Sequence, residues 1–152
     1  YPRVPDPNPS MLFPFLPRPL PGERPGTAQR HTNEPVLPRR RPSDGLVDWS
    51  RDGVTTYNFV RALTRPYPGA FSWLDKKRWT IWQAALLPGP IAGAPGEILG
   101  PVVCPDEAAC GQVVACGTGA IVLLELQADD GEVLRGRRLS EQPWTGRVWT
   151  NE

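Results

Sequence analysis

Gln112-Val113-Val114-Ala115-Cys116, then Gly117-Thr118-Gly119, then Ala120-Ile121-Val122-Leu123-Leu124-Glu125-Leu126, is the stretch on which the fold turns. Two apolar runs rich in β-branched residues flank a glycine-bounded tripeptide, which is the composition of a hairpin. The longest apolar run, 120–124, stops at Glu125, far short of the roughly 20 residues a membrane helix needs.

Working upstream, 70–74 and 78–87 flank Asp75-Lys76-Lys77 as a second hairpin, with Trp73, Trp79 and Trp82 suited to strands. A Gly- and Pro-filled loop at 88–95 leads to a further strand at 97–103. One helix is expected after Asp48-Trp49-Ser50, with Ser50 as its cap and Asp52 in its first turn. Thr56, Phe59, Val60 and Leu63 share one face of that helix, and Pro66 and Pro68 end it. Five short strands and one packing helix in about a hundred residues predict a mainly β domain, a small antiparallel barrel or sandwich, for which an OB-like barrel is the natural candidate.

The rest of the chain divides on proline and charge. Residues 1–44 form a proline- and arginine-rich arm or linker in which closely spaced prolines prevent a helix. Residues 45–142 make the barrel domain and 143–152 a C-terminal tail. With 152 residues, 39% of them hydrophobic, the chain holds one real core and excludes a large two-domain enzyme. Its start at Tyr1 has no initiator Met and no basic-then-apolar leader, which reads as a piece of something longer or as a processed or incomplete chain.

A net charge of +1 gives no global field that would by itself argue for nucleic acid or an anionic membrane. Local patches remain: Arg39, Arg40 and Arg41 before the helix, Lys76, Lys77 and Arg78 in the first hairpin, and Arg135, Arg137 and Arg138 near the C-terminus. Each is either a phosphate contact or ordinary surface charge for solubility. The odd set Cys104, Cys110 and Cys116 favours a reducing cytoplasm, and lacks the close ligand pairs of a zinc site. Inert apolar cysteines or a Cys104 to Cys110 disulfide are the readings left. No nucleophile elbow or P-loop is present, and the only histidine, His31, sits in linker-like sequence. Gly117-x-Gly119 opens no helix and reads as a turn; Asp106-Glu107 and Asp129-Asp130 read as solvated turn residues. No catalytic residue is assigned.

Particular residues carry a resemblance. The run Arg39-Arg40-Arg41-Pro42-Ser43-Asp44-Gly45-Leu46-Val47-Asp48-Trp49-Ser50, then Asn58-Phe59-Val60-Arg61-Ala62-Leu63-Thr64 and Pro66-Tyr67-Pro68-Gly69-Ala70-Phe71, resembles the methionyl-tRNA formyltransferase family where its catalytic domain joins its C-terminal domain. Pro95-Gly96-Glu97-Ile98, Val114-Ala115-Cys116-Gly117-x-Gly119-Ala120 and Leu123-Leu124-Glu125-Leu126-Gln127 continue the match in order, over residues 27–139. The resemblance implies the OB-like C-terminal domain of an enzyme that moves a formyl group from formyl-tetrahydrofolate to an amine. Asp48, Trp49, Arg61, Pro68, Gly69 and Phe71 would be its structural motif positions. The Asn, His and Asp catalytic set and the formyl-tetrahydrofolate pocket would belong to a catalytic domain, fused or separate, that nothing in this chain matches.

The resemblance therefore implies an accessory domain that positions the acceptor amine, an amino sugar or initiator Met-tRNA. A stand-alone OB-like module binding tRNA or another nucleic acid, with six Trp available for stacking, is the alternative. An interaction or oligomerisation part is a third.

Overall fold

The computed structural model describes residues 41–151. Arg39, Arg40, His31 and the arm before Arg41 lie outside them. In chain order a 3-10 turn, Pro42–Gly45, precedes helix α1 (Gly53–Leu63) and strands β1 (Ala70–Leu74), β2 (Lys77–Leu87), β3 (Ile98–Val102), β4 (Gly111–Ala115), β5 (Ala120–Ala128) and β6 (Val133–Arg135); a helical turn, Arg137–Ser140, follows.

The mainly β class holds. All strands pair antiparallel in the order β1-β2-β5-β4-β3. Strand β5 is the spine: it pairs with β2 along its length, with β4 through Gln112↔Leu123 to Ala115↔Ala120, and with β6 through Glu125↔Arg135 to Gln127↔Val133. Strand β2 slips register between Ile81 and Ala84, a bulge that bends a long strand around the core.

Barrel closure by strands, expected from the pattern, is not what forms. The sheet is left open with β1 and β3 as edges, and residues 146–150 tie the two edges by single bridges, Glu97↔Val148 beside β3 and Trp73↔Thr150 on β1. Ile98 N donates to Arg147 O at 2.8 Å and Gly146 N to Ile98 O at 2.7 Å, while Trp73 and Thr150 exchange backbone bonds of 3.0 and 2.8 Å. Trp144 and Trp149, in the stretch read as a tail, are buried. Trp144 meets Trp79 edge to face at 5.4 Å and Trp149 at 6.2 Å, and Trp149 in turn stacks at 6.2 Å on Trp49. Around this aromatic row sit Ile81, Ile98, Val114, Ile121, Leu123 and Leu126.

Three local expectations shift. The β1–β2 connection has two residues, not three: Asp75 and Lys76 both adopt positive φ, 52° and 65°, the left-handed pair of a tight hairpin turn, and Lys77 already pairs with Leu74. Asp52, not Ser50, caps α1: its carboxylate accepts Thr55 N at 2.9 Å. Ser50 cannot serve there, because Gly117 N donates to Trp49 O and Arg51 O and Gly53 N donates to Thr118 O, which holds 49–52 outside the helix. Strand β6 and the turn at 137–140 arise where only a basic cluster was read.

Candidate functional site

The motif residues of the linker, α1 and β1 converge on one junction. Val47 N donates to Phe71 O at 2.9 Å and Leu46 bridges Phe71 in parallel, so the incoming chain lies along β1. Gly45 is obligatory for that approach, since a Cβ there would stand 2.6 Å from Gly69 O. Gly69 takes φ +91°, donates its N–H to Leu63 O at 3.0 Å, and has Thr80 where a side chain would be. Pro68 is exposed beside it.

Trp49 is buried and donates its indole N–H to Ser72 Oγ at 3.0 Å; Ser72 donates onward to Thr150 O at 2.8 Å. Asp48 accepts Ser50 N at 3.1 Å and Ser50 Oγ at 2.6 Å, and pairs with Arg51 at 3.3 Å. Those Ser50 bonds, ahead of the Arg51 charge, hold its carboxyl below the usual range. Arg61 extends over the Tyr57 ring at 5.6 Å. Asp44, Leu46, Val47, Asp48, Arg51 and Thr56 line a depression of about 210 Å³ between linker and helix.

The basic residues of the first hairpin do not gather. Lys77 sits over the Trp79 ring at 4.7 Å and reaches Asp130 at 2.9 Å and Glu132 at 2.8 Å; Arg78 sits over Phe71 at 4.0 Å and pairs with Asp129 at 3.2 Å. The Glu132 and Asp130 bonds raise the Lys77 ammonium above its ordinary value, and the Lys77 bond lowers Asp130. Lys76 is exposed on the turn. Arg41 heads the 3-10 turn, its backbone N–H bonded to Asp44 at 2.7 Å. Asp129 and Asp130 lie in an exposed turn, as read, and there pair with Lys77 and Arg78 of β2, while Asp106 caps the 3-10 turn Glu107–Ala109 through Ala108 N at 3.0 Å.

Of the six Trp, Trp49, Trp79, Trp144 and Trp149 are core; Trp82 lies half-buried under Arg65 at 4.4 Å with its N–H on Gln127. The sequence reading missed these pairings, although the acidic turn 129–132 is visible opposite the basic hairpin once β2 is set beside β5. Cys104, Cys110 and Cys116 are free thiols, and burial pushes Cys116 up. Among the described residues no group of three or more His, Cys, Asp or Glu is arranged to hold a metal ion, and no helix is long and apolar enough to cross a membrane.

Known structures share this architecture. A six-substitution variant of HypX from Aquifex aeolicus is 22% identical with a TM-score of 0.58, over 85% of this chain and 21% of that one. A four-substitution variant of the same protein is 25% identical with a TM-score of 0.50, over 67% of this chain and 18% of that one. The chain thus spans only about a fifth of the length of the solved proteins it matches. The family model described as "Formyl transferase, C-terminal domain" matches residues 40–142, which takes in the linker, α1, all six strands and the helical turn 137–140, and the chain accordingly belongs to the formyl transferase C-terminal domain family.

Proposed function

We propose that this domain is the accessory C-terminal part of a formyl-tetrahydrofolate-dependent amine formyltransferase, resembling the methionyl-tRNA formyltransferases, and that it positions the acceptor amine for a catalytic domain outside the described residues. The observation that carries the reading is the family match over 40–142, laid on a fold whose motif residues are spent on construction: Trp49 on Ser72, Asp48 on Ser50, Gly69 on the turn into β1. Such a domain contributes orientation, not bond making. The depression beside the linker does not suit the anionic tail of a folate, since it presents Asp44 and Asp48 while Arg51 is held by Asp48. The formyl donor therefore belongs to the catalytic domain, in a reducing cytoplasm.

A small amine, such as an amino sugar, is the acceptor favoured over initiator Met-tRNA. Lys77 and Arg78, which a polyanion would need, are neutralised by Asp129, Asp130 and Glu132. The same pairings, with four Trp in the core, weigh against a stand-alone nucleic-acid module.

The test has two arms. The purified chain, given formyl-tetrahydrofolate and candidate amines, is expected to yield no formylated product above background; turnover by the chain alone refutes the accessory role. Binding to tRNA, followed over a salt series, is expected to be weak and flat. A steep loss of tight binding with salt would transfer the assignment to the nucleic-acid module.

A further inference from the structure

The β3–β4 connection carries two cysteines that the proposed function does not use. Val102 pairs with Gly111 at the end of the ladder, and the seven residues of 104–110 close on themselves beyond it. The centre of that closure is a sulfur. Cys110 Sγ accepts the backbone N–H of Cys104 at 3.2 Å, donates to Cys104 O at 3.2 Å, and lies 3.6 Å from Asp106 O. Since the N–Cα bond is about 1.46 Å, that sulfur stands no more than about 4.7 Å from Cys104 Cα, within the reach of a disulfide. A disulfide then requires only that the Cys104 side chain turn its own sulfur toward this one by rotation about the Cα–Cβ bond.

Exposure separates the roles of the two thiols. Cys104 is half-buried and reachable from solvent; Cys110 is fully buried. The third thiol, Cys116, is buried at the far end of β4, where its N–H bonds Gly119 O.

We propose that Cys104 and Cys110 form a reversible dithiol–disulfide pair, with Cys104 as the attacking and Cys110 as the resolving thiol. With glutathione disulfide as oxidant, the Cys104 thiolate attacks one glutathione sulfur, forms a mixed disulfide and expels one glutathione thiolate. Cys110 gives its proton to solvent and attacks the Cys104 sulfur. The Cys104–Cys110 bond forms as the second glutathione thiolate leaves, so two protein thiols are oxidised and one glutathione disulfide is reduced to two thiols. In a reducing compartment the pair rests as thiols and the three sulfur–backbone bonds hold the loop. Oxidation replaces those bonds by a covalent closure next to Glu107, whose carbonyl and side chain crowd Gly136 at the end of β6.

The experiment equilibrates the full 152-residue chain in buffers of graded reduced-to-oxidised glutathione ratio, quenches with acid, alkylates in denaturant and maps the peptides by mass. The expected result at the oxidising end is a loss of two of three alkylatable thiols, a mass lower by two hydrogens, and a peptide linked through Cys104 and Cys110. Excess reduced glutathione should restore all three thiols. Cys116→Ser should leave the linkage intact, and Cys104→Ser should abolish it. Three alkylatable thiols throughout, a stable glutathione adduct on Cys104 with Cys110 still free, or a link through Cys116 would each overturn the proposal. Because the unsubstituted chain supplies the decisive reading, it does not depend on either variant folding.

Discussion

Trp49 and Ser72 are joined by a buried hydrogen bond, indole N–H to hydroxyl oxygen at 3.0 Å, and the same hydroxyl donates to Thr150 O at 2.8 Å. One serine thus links the incoming linker, the first strand and the segment 146–150. Ser72 is wholly excluded from solvent, so no water replaces it.

Ser72→Ala should strand the indole N–H of Trp49. A buried donor without a partner costs about 1–3 kcal/mol. Urea unfolding should show that loss with an unchanged slope. An unaltered midpoint would mean that the bond contributes nothing.

Trp149→Ala is expected to be more severe, because it empties a site between Trp49 and Trp144 and removes a large apolar side chain: about 3–5 kcal/mol by chemical denaturation. Cutting the chain after Gln142, where the family match ends, should prevent stable folding, measured as loss of near-ultraviolet circular dichroism.

Gly117→Ala places a methyl group against Ser50 O, between the Gly117 bonds to Trp49 O and Arg51 O that keep 49–52 clear of the helix. The backbone must shift, at about 1–3 kcal/mol. Gly119→Ala, in the same turn, meets no neighbour but sits at φ +73°, so its cost is the left-handed backbone alone, about 1 kcal/mol. Thermal unfolding of the two variants should rank Gly117→Ala as the less stable.

The pH dependence follows from Asp48, Asp52 and Asp130, all held below the ordinary carboxyl value, by Ser50, Thr55 and Lys77 respectively. A carboxyl depressed on folding stabilises the native state fully above its unfolded pKa of about 3.9 and loses that contribution as pH falls through the lower folded value. Stability should therefore be level from neutrality to about pH 5 and decline below about pH 4. Asp52→Asn keeps a capping oxygen for Thr55 but cannot titrate, so it should flatten the acid limb. An unchanged limb would remove Asp52 from this account.

The hairpin at 117–119 was legible because two short apolar runs rich in β-branched residues met across glycines, and the pairings it needed are local in sequence. The end of α1 was legible for a similar reason, prolines at 66 and 68. The cap was not: Ser50 and Asp52 are both competent, and the choice is made by Gly117 and Thr118, more than sixty residues downstream. Trp144 and Trp149 were read as tail because 143–150 has no strand period; their burial comes from Trp79 and Trp49, distant in sequence. The choice between phosphate contact and surface charge for the basic hairpin was not legible, because its neutralising carboxylates lie on the β5–β6 turn, a neighbour only once β2 has paired with β5.

The tie between the two sheet edges has a consequence for biosynthesis. Ser72 and Thr150 are separated by 78 positions, so while the polypeptide is emerging from the ribosome the Trp73 end of β1 and the outer side of β3 stay unsatisfied until almost the whole domain has been translated. Unpaired flanks of this kind recruit foreign strands. That exposure lasts from the pairing of β2 with β1 until Thr150 reaches Trp73.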